Sequence, residues 1–156
     1  MKTAVLISLL LFSALLAAAT LQVGSPLPVL TLKDQHDAPQ TVTPGTHYLI
    51  FAAERTPSAV VETALDGQTA QTLDAAKVRY VADISGMPGL VAAAFALPKM
   101  RKRPYPMLLG RTAAETAMLP RAPGKVTLME SVDGTITSVR FIGDAVTLRT
   151  ALGFVY

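Results

Sequence analysis

The run His47-Tyr48-Leu49-Ile50-Phe51-Ala52-Ala53 is almost continuously apolar and leads, within three residues, into Thr56-Pro57 and a helical pattern. A strand with no polar alternation must be covered on both faces, so it belongs in the middle of a layered α/β sheet. Thr56 reads as an N-cap with Pro57 at the first helical position, and Val60, Val61, Ala64 and Leu65 fall on one helical face. Gly67 interrupts that helix, a second helical stretch spans Thr69 to Ala76, and Val78 to Asp83 is the next strand. Strand, helices and strand in this order predict a parallel pair with a right-handed crossover.

The flanking segments add to this unit. Pro26 to Leu32 alternates in the strand manner, Asp34 to Pro39 supplies turn residues, and Gln40 to Val42 returns, which predicts an N-terminal β-hairpin. Ser85, Gly86 and Pro88 lead into a helix over Leu90 to Met100, which Pro104 and Pro106 stop. A short strand at Met107 to Leu109, a short helix at Thr112 to Leu119 and a loop at Pro120 to Gly124 follow. Lys125 to Val132 and Thr135 to Gly143 are two strands joined at Asp133-Gly134, a strong hairpin signal. Asp144 caps a last helix that Gly153 ends.

The first nineteen residues read as a leader. Lys2 gives a positive start, Ala4 to Leu16 is apolar apart from Ser8 and Ser13, and Ala17-Ala18-Ala19 offers small residues for signal peptidase. The run is shorter than the roughly 20 residues of a membrane-spanning helix. The expectation is a signal peptide over residues 1–19, cleaved after Ala19, and one periplasmic domain over residues 20–156 with no transmembrane segment after cleavage. A retained N-terminal anchor is the alternative. With no cysteine in the chain, neither a lipid anchor at the cleavage point nor a disulfide is available, so packing alone must stabilise the domain. A net charge of +3, one unit lower without Lys2, gives no reason to expect nucleic acid as a partner.

The phrases VGSPLPVLTLKDQHDAPQTV, LIFAAE running into a helix, VRYVADIS, and VTLMESVDGTITSVRFIG before a last helix resemble exported thioredoxin-like proteins of the peroxiredoxin and thiol-reductase branch. The resemblance spans the whole of residues 20–156. It implies a three-layer sandwich with a mixed central sheet, flanking helices and an N-terminal β-hairpin. The chain is also similar to small exported bacterial proteins with phrases like VADISGMP and FALPKMR, some of which carry flavin-dehydrogenase labels.

The departures from that family decide what chemistry remains. Where thioredoxins begin a helix with Cys-x-x-Cys, this chain reads FAAERTPSA, so Thr56 and Ala59 occupy the two thiol positions. Attack on a disulfide or peroxide needs a low-pKa thiolate, which a threonine hydroxyl does not replace. Thiol-disulfide exchange and cysteine peroxidase activity are therefore excluded. The family's cis-proline position, counted back from Asp133-Gly134, holds Val126, with Lys125 where peroxiredoxins carry an arginine. A second register puts the cis-proline at Tyr105-Pro106, but leaves the last hairpin and helix without a clean place.

Open α/β sheets bind ligands outside the carboxyl ends of their strands. Glu54, Arg55, Thr56, Ser58, Asp83 and Lys125 are expected to converge there, as a cleft for a small anion or a peptide that uses the free N–H groups near Thr56. Against this stands a plainer account, in which Thr56 only caps its helix and the strand-end acids pair with nearby bases. Lys99, Arg101, Lys102 and Arg103 form the one basic run, suited to anionic lipid, an acidic partner or the negative end of a helix dipole.

Other chemistries find little support. His36 and His47 are the only histidines and there is no thiolate, too few ligands for a structural zinc site. Met87, Met100, Met107, Met118 and Met129 lie on separate elements and read as core fillers. Gly-x-Ser-x-Gly, Gly-x-Gly-x-x-Gly and Walker motifs are absent, and no catalytic residue is assigned. The reading is a non-catalytic periplasmic binding or accessory protein with no cofactor, whose partner is a periplasmic protein or small anion. The alternative is an oxidoreductase-like protein that binds flavin, as FMN or FAD, with Thr56 and Ser58 at its phosphate, although that loop lacks glycine. A third is a structural partner that docks through its hydrophobic surface.

Overall fold

The computed structural model describes residues 19–155, so residues 1–18 of the predicted leader lie outside the described residues. Five strands form the main sheet in the order β5-β4-β3-β6-β7: β3 Tyr48–Ala52, β4 Val78–Asp83, β5 Leu108–Gly110, β6 Val126–Val132 and β7 Thr135–Ile142. β3 runs parallel to β4, and β4 to β5, while β6 is antiparallel to β3 and to β7, so the sheet is mixed. β1 Leu30–Lys33 and β2 Pro39–Val42 form the expected separate antiparallel hairpin.

The apolar run predicted to be central is central. Leu49, Ile50, Phe51 and Ala52 are buried, and alternate side chains point to two different cores. Ile50 and Ala52 pack with Tyr80, Leu128 and helical residues such as Val61, Leu65, Leu97 and Leu148. Leu49 and Phe51 pack with Val81, Met129 and the N-terminal residues Leu27, Leu32 and Val42. The hairpin thus closes the face opposite the main helices.

The helices are α1 Arg55–Ala64, α2 Ala70–Ala75, a continuous helical stretch over residues 89–100, and α5 Ala145–Ala151. Within that stretch α3 Gly89–Val91 and α4 Leu97–Met100 flank a wide π turn at Ala92–Ala96. Pro98 lacks an N–H and its ring would crowd the carbonyl four residues back, and the widened turn accommodates it. Arg149 of α5 is buried and donates to the Ala64 and Asp66 carbonyls at 2.9 Å each, which ties α5 to the end of α1.

Several sequence expectations shift. Glu54, not Thr56, is the N-cap of α1, and Pro57 is the third helical residue. Proline is tolerated there because the first N–H groups of a helix have no intrahelical acceptor in any case. The short strand β5 sits one residue later than expected, and the helix expected over Thr112 to Leu119 is a 3-10 turn at Ala113–Thr116 with a Thr112 and Glu115 capping box. All peptide bonds among the described residues are trans, Pro106 included, and Val126 is an ordinary strand residue. The Asp133-Gly134 turn and the Asp144 cap are as expected, with positive φ at both turn residues and an Asp144 bond from the Thr147 N–H at 2.8 Å.

Candidate functional site

The carboxyl ends of β3 and β4 and the start of β6 meet at one corner of the sheet, and α1 begins there. Glu54 leaves β3 in extended backbone and makes no side-chain cap. Its carboxylate instead accepts the Gly124 N–H at 3.2 Å, joining the start of α1 to the loop before β6. The first helical residue is Arg55, no acid lies in the first turn, and Arg55 and Thr56 are exposed. Among the described residues neither side chain has a hydrogen bond or ion pair, and the first intrahelical donor is the Ser58 N–H, to the Glu54 carbonyl.

The other expected members are held apart from this helix end. Ser58 is half-buried and turns inward beside the hydroxyl of buried Tyr80, whose phenol is pushed up by its burial. Lys125 lies over Gly143, where its ammonium would be 2.6 Å from an added Cβ, and so faces the start of α5 rather than α1. Its charge adds to the lowering of the Asp144 carboxyl, which the Thr147 N–H chiefly causes.

Asp83, at the end of β4, is committed to a local network. Its carboxylate accepts the Ser85 N–H at 2.9 Å, the Thr116 hydroxyl at 2.6 Å and Arg121 at 3.4 Å. Burial works to raise the Asp83 pKa, but these hydrogen bonds and the Arg121 charge outweigh it and leave it below the usual carboxylate value. The expectation that strand-end acids pair with bases thus holds for Asp83. Arg121 also stacks 4.9 Å from the centre of the Phe51 ring and remains partly exposed.

Sequence reasoning missed Arg121, Thr116 and Gly124. The Pro120 to Gly124 loop carries no motif, and only the tertiary fold brings it to the ends of β3 and β4. The corner therefore presents an uncapped helix N-terminus with Arg55 and Thr56 on it, a bridging Glu54, and an anchored cation at Arg121. Nothing here supplies a nucleophile with a general base.

The basic run lies away from the corner. Arg103 pairs with Glu62 on α1, Lys99 stands 3.9 Å from the same carboxylate, and Arg101 donates to the Gln35 carbonyl at 2.9 Å. A cleft of about 350 Å³ between the hairpin turn and the 103–106 segment and one of about 400 Å³ below the β6–β7 turn share no lining residue with the corner. His47 is bound to the Ser131 carbonyl at 2.8 Å and His36 is exposed on the hairpin turn. No group of three metal-ligating side chains occurs among the described residues, and no helix among them is long and apolar enough to cross a membrane.

Comparison with known proteins places the fold. No protein-family model matches the sequence, and no curated protein does. Among solved structures, the chain is similar to the thioredoxin domain of a thiol-disulfide oxidoreductase from Bacteroides vulgatus, with a TM-score of 0.53 at 12% identity over 86% of this chain and 97% of that one. It is also similar to a peroxiredoxin-like protein from Aquifex aeolicus, at TM-score 0.51 and 9% identity over 88% of this chain and 89% of that one. A peroxidoxin from Mycobacterium tuberculosis matches at TM-score 0.51 and 16% identity, over 83% and 94% of the two chains. These likenesses establish a thioredoxin-like fold. The thiol in the name of the Bacteroides vulgatus protein has no counterpart in a chain without cysteine.

Proposed function

We propose that this thioredoxin-like protein is a non-catalytic, periplasmic binding or accessory protein, and that the start of α1 holds a small anion or an anionic group of a protein partner. The observation that carries this reading is the pair of open backbone N–H groups of Arg55 and Thr56 at that helix end. The N-cap acid Glu54 gives its carboxylate to the Gly124 N–H, so α1 has no side-chain cap, and its first turn holds Arg55 and no further acid. The missing cap and the cation at Arg55 each cost stability, and a bound anion would offset both. Local rules broken at the ligand-binding end of an open α/β sheet support a binding role. Arg121, held on Phe51 and Asp83, adds a second cation at the same end of the sheet.

Native mass spectrometry of the protein isolated from the periplasmic fraction tests this, with Arg55→Ala/Arg121→Ala as the comparison. The reading predicts an anion or a protein subunit that stays with the wild type and is lost from the double variant. Bare monomer in both, or absence from the periplasmic fraction, would overturn it. A retained flavin, visible as a yellow protein, would favour the oxidoreductase-like alternative instead.

A further inference from the structure

The helical stretch over residues 89–100 carries an unusual outer surface. Ala92 and Leu97 face the core, whereas Leu90 is 87% exposed, Phe95 74% and Val91 44%, with Ala94 and Pro98 exposed beside them. On a helix these outward residues form one apolar stripe. It runs directly into Lys99, Arg101 and Lys102, all exposed, and the sequence from Ile84 to Ala114 contains no acid. Of the four cations of the run, Arg103 pairs with Glu62, Lys99 stands 3.9 Å from the same carboxylate and Arg101 donates to the Gln35 carbonyl, yet Lys99, Arg101 and Lys102 all remain exposed.

We infer that this stripe is a peripheral docking surface for an anionic lipid bilayer, with Leu90, Val91 and Phe95 entering the headgroup boundary and Lys99, Arg101 and Lys102 beside them at the phosphates. The shape of the surface favours lipid over an acidic protein. The apolar side chains protrude from a convex helix and line neither of the two clefts, so they offer knobs rather than a groove. A fluid bilayer takes protruding side chains without needing a complementary shape, and apolar burial together with cation attraction is the combination that holds interfacial helices. Each cation near an anionic surface contributes about 1 kcal/mol, which salt screens.

Because the chain has no cysteine, a single introduced thiol gives a unique label. Ala94→Cys on the full chain, carrying an environment-sensitive fluorophore, is mixed with vesicles of phosphatidylglycerol and phosphatidylcholine or of phosphatidylcholine alone. Val132→Cys, exposed on the β6–β7 hairpin, serves as the control. Any binding through residues 1–19 is common to both variants, while the label reports its own site. The proposal predicts a blue shift for the Ala94 label with the anionic vesicles only, none for the Val132 label, and a partition at least about tenfold weaker in Arg101→Glu/Lys102→Glu. Leu90→Ser/Phe95→Ser should abolish the shift with the circular dichroism spectrum unchanged. No shift at Ala94, an equal shift at Val132, or a shift produced by polyglutamate or by self-association without vesicles would overturn it.

Discussion

The Thr116 hydroxyl donates to the Asp83 carboxylate at 2.6 Å, and the methyl group of the same threonine fills the space beside Gly110. One buried side chain thus couples the end of β4 to its edge neighbour β5. A Cβ added at Gly110 would lie 2.5 Å from that methyl, and Thr116 is fully buried and cannot swing away. Gly110→Ala should therefore cost about 1–3 kcal/mol by overpacking. Thr116→Ser, which removes the methyl and keeps the hydroxyl, should recover much of that loss in a double-mutant cycle. Gly143→Ala meets only the flexible end of Lys125 and should be nearly neutral. Urea denaturation of the set decides the matter, and equal costs at the two glycines would contradict it.

Asp83 should also shape the acid limb of stability. Its folded pKa lies below its unfolded value, so the folded state gains from the ionised carboxylate above the unfolded pKa and loses that gain as pH falls through the folded pKa. Stability should therefore decline below about pH 4 in the wild type, and less steeply in Asp83→Asn. Urea titrations between neutral and acid pH measure this, and identical slopes in both proteins would count against it.

A thiol placed at Thr56 should report the electrostatics of the α1 start. An exposed thiol at a helix N-terminus beside an arginine should ionise below the ordinary value of about 8.5. The pH dependence of alkylation in Thr56→Cys should show this, with Val132→Cys near the ordinary value. Equal pKa values would mean that the helix end carries no useful positive field.

The sequence was most legible where one residue pattern admits one structure. The Leu49 to Ala52 run could only be a doubly covered strand, Asp133-Gly134 could only turn a hairpin tightly, and Asp144 stood alone before its helix. Thr56-Pro57 admitted two helix starts, because proline is tolerated at any of the first helical positions, and α1 took the earlier one at Glu54. The site was less legible for the same kind of reason. Proximity to a strand end in sequence says nothing about where a side chain turns, so Ser58 went inward to Tyr80 and Lys125 went to Gly143. Arg121 and Thr116 reach Asp83 only through the pairing of β4 with β5, a contact without a local pattern.

Arg55→Glu should separate binding from stability at the start of α1. Exchanging a cation for an acid at a helix N-terminus should stabilise the fold by about 0.3–1 kcal/mol or more, while removing the attraction for an anion. The most direct measurement is a titration of the isotope-labelled wild type and Arg55→Glu with inorganic phosphate at constant ionic strength, followed at each backbone amide. The binding account predicts saturable shifts at the Arg55 and Thr56 amides of the wild type and none at these positions in the variant. Unsaturating shifts of equal size in both proteins would contradict it.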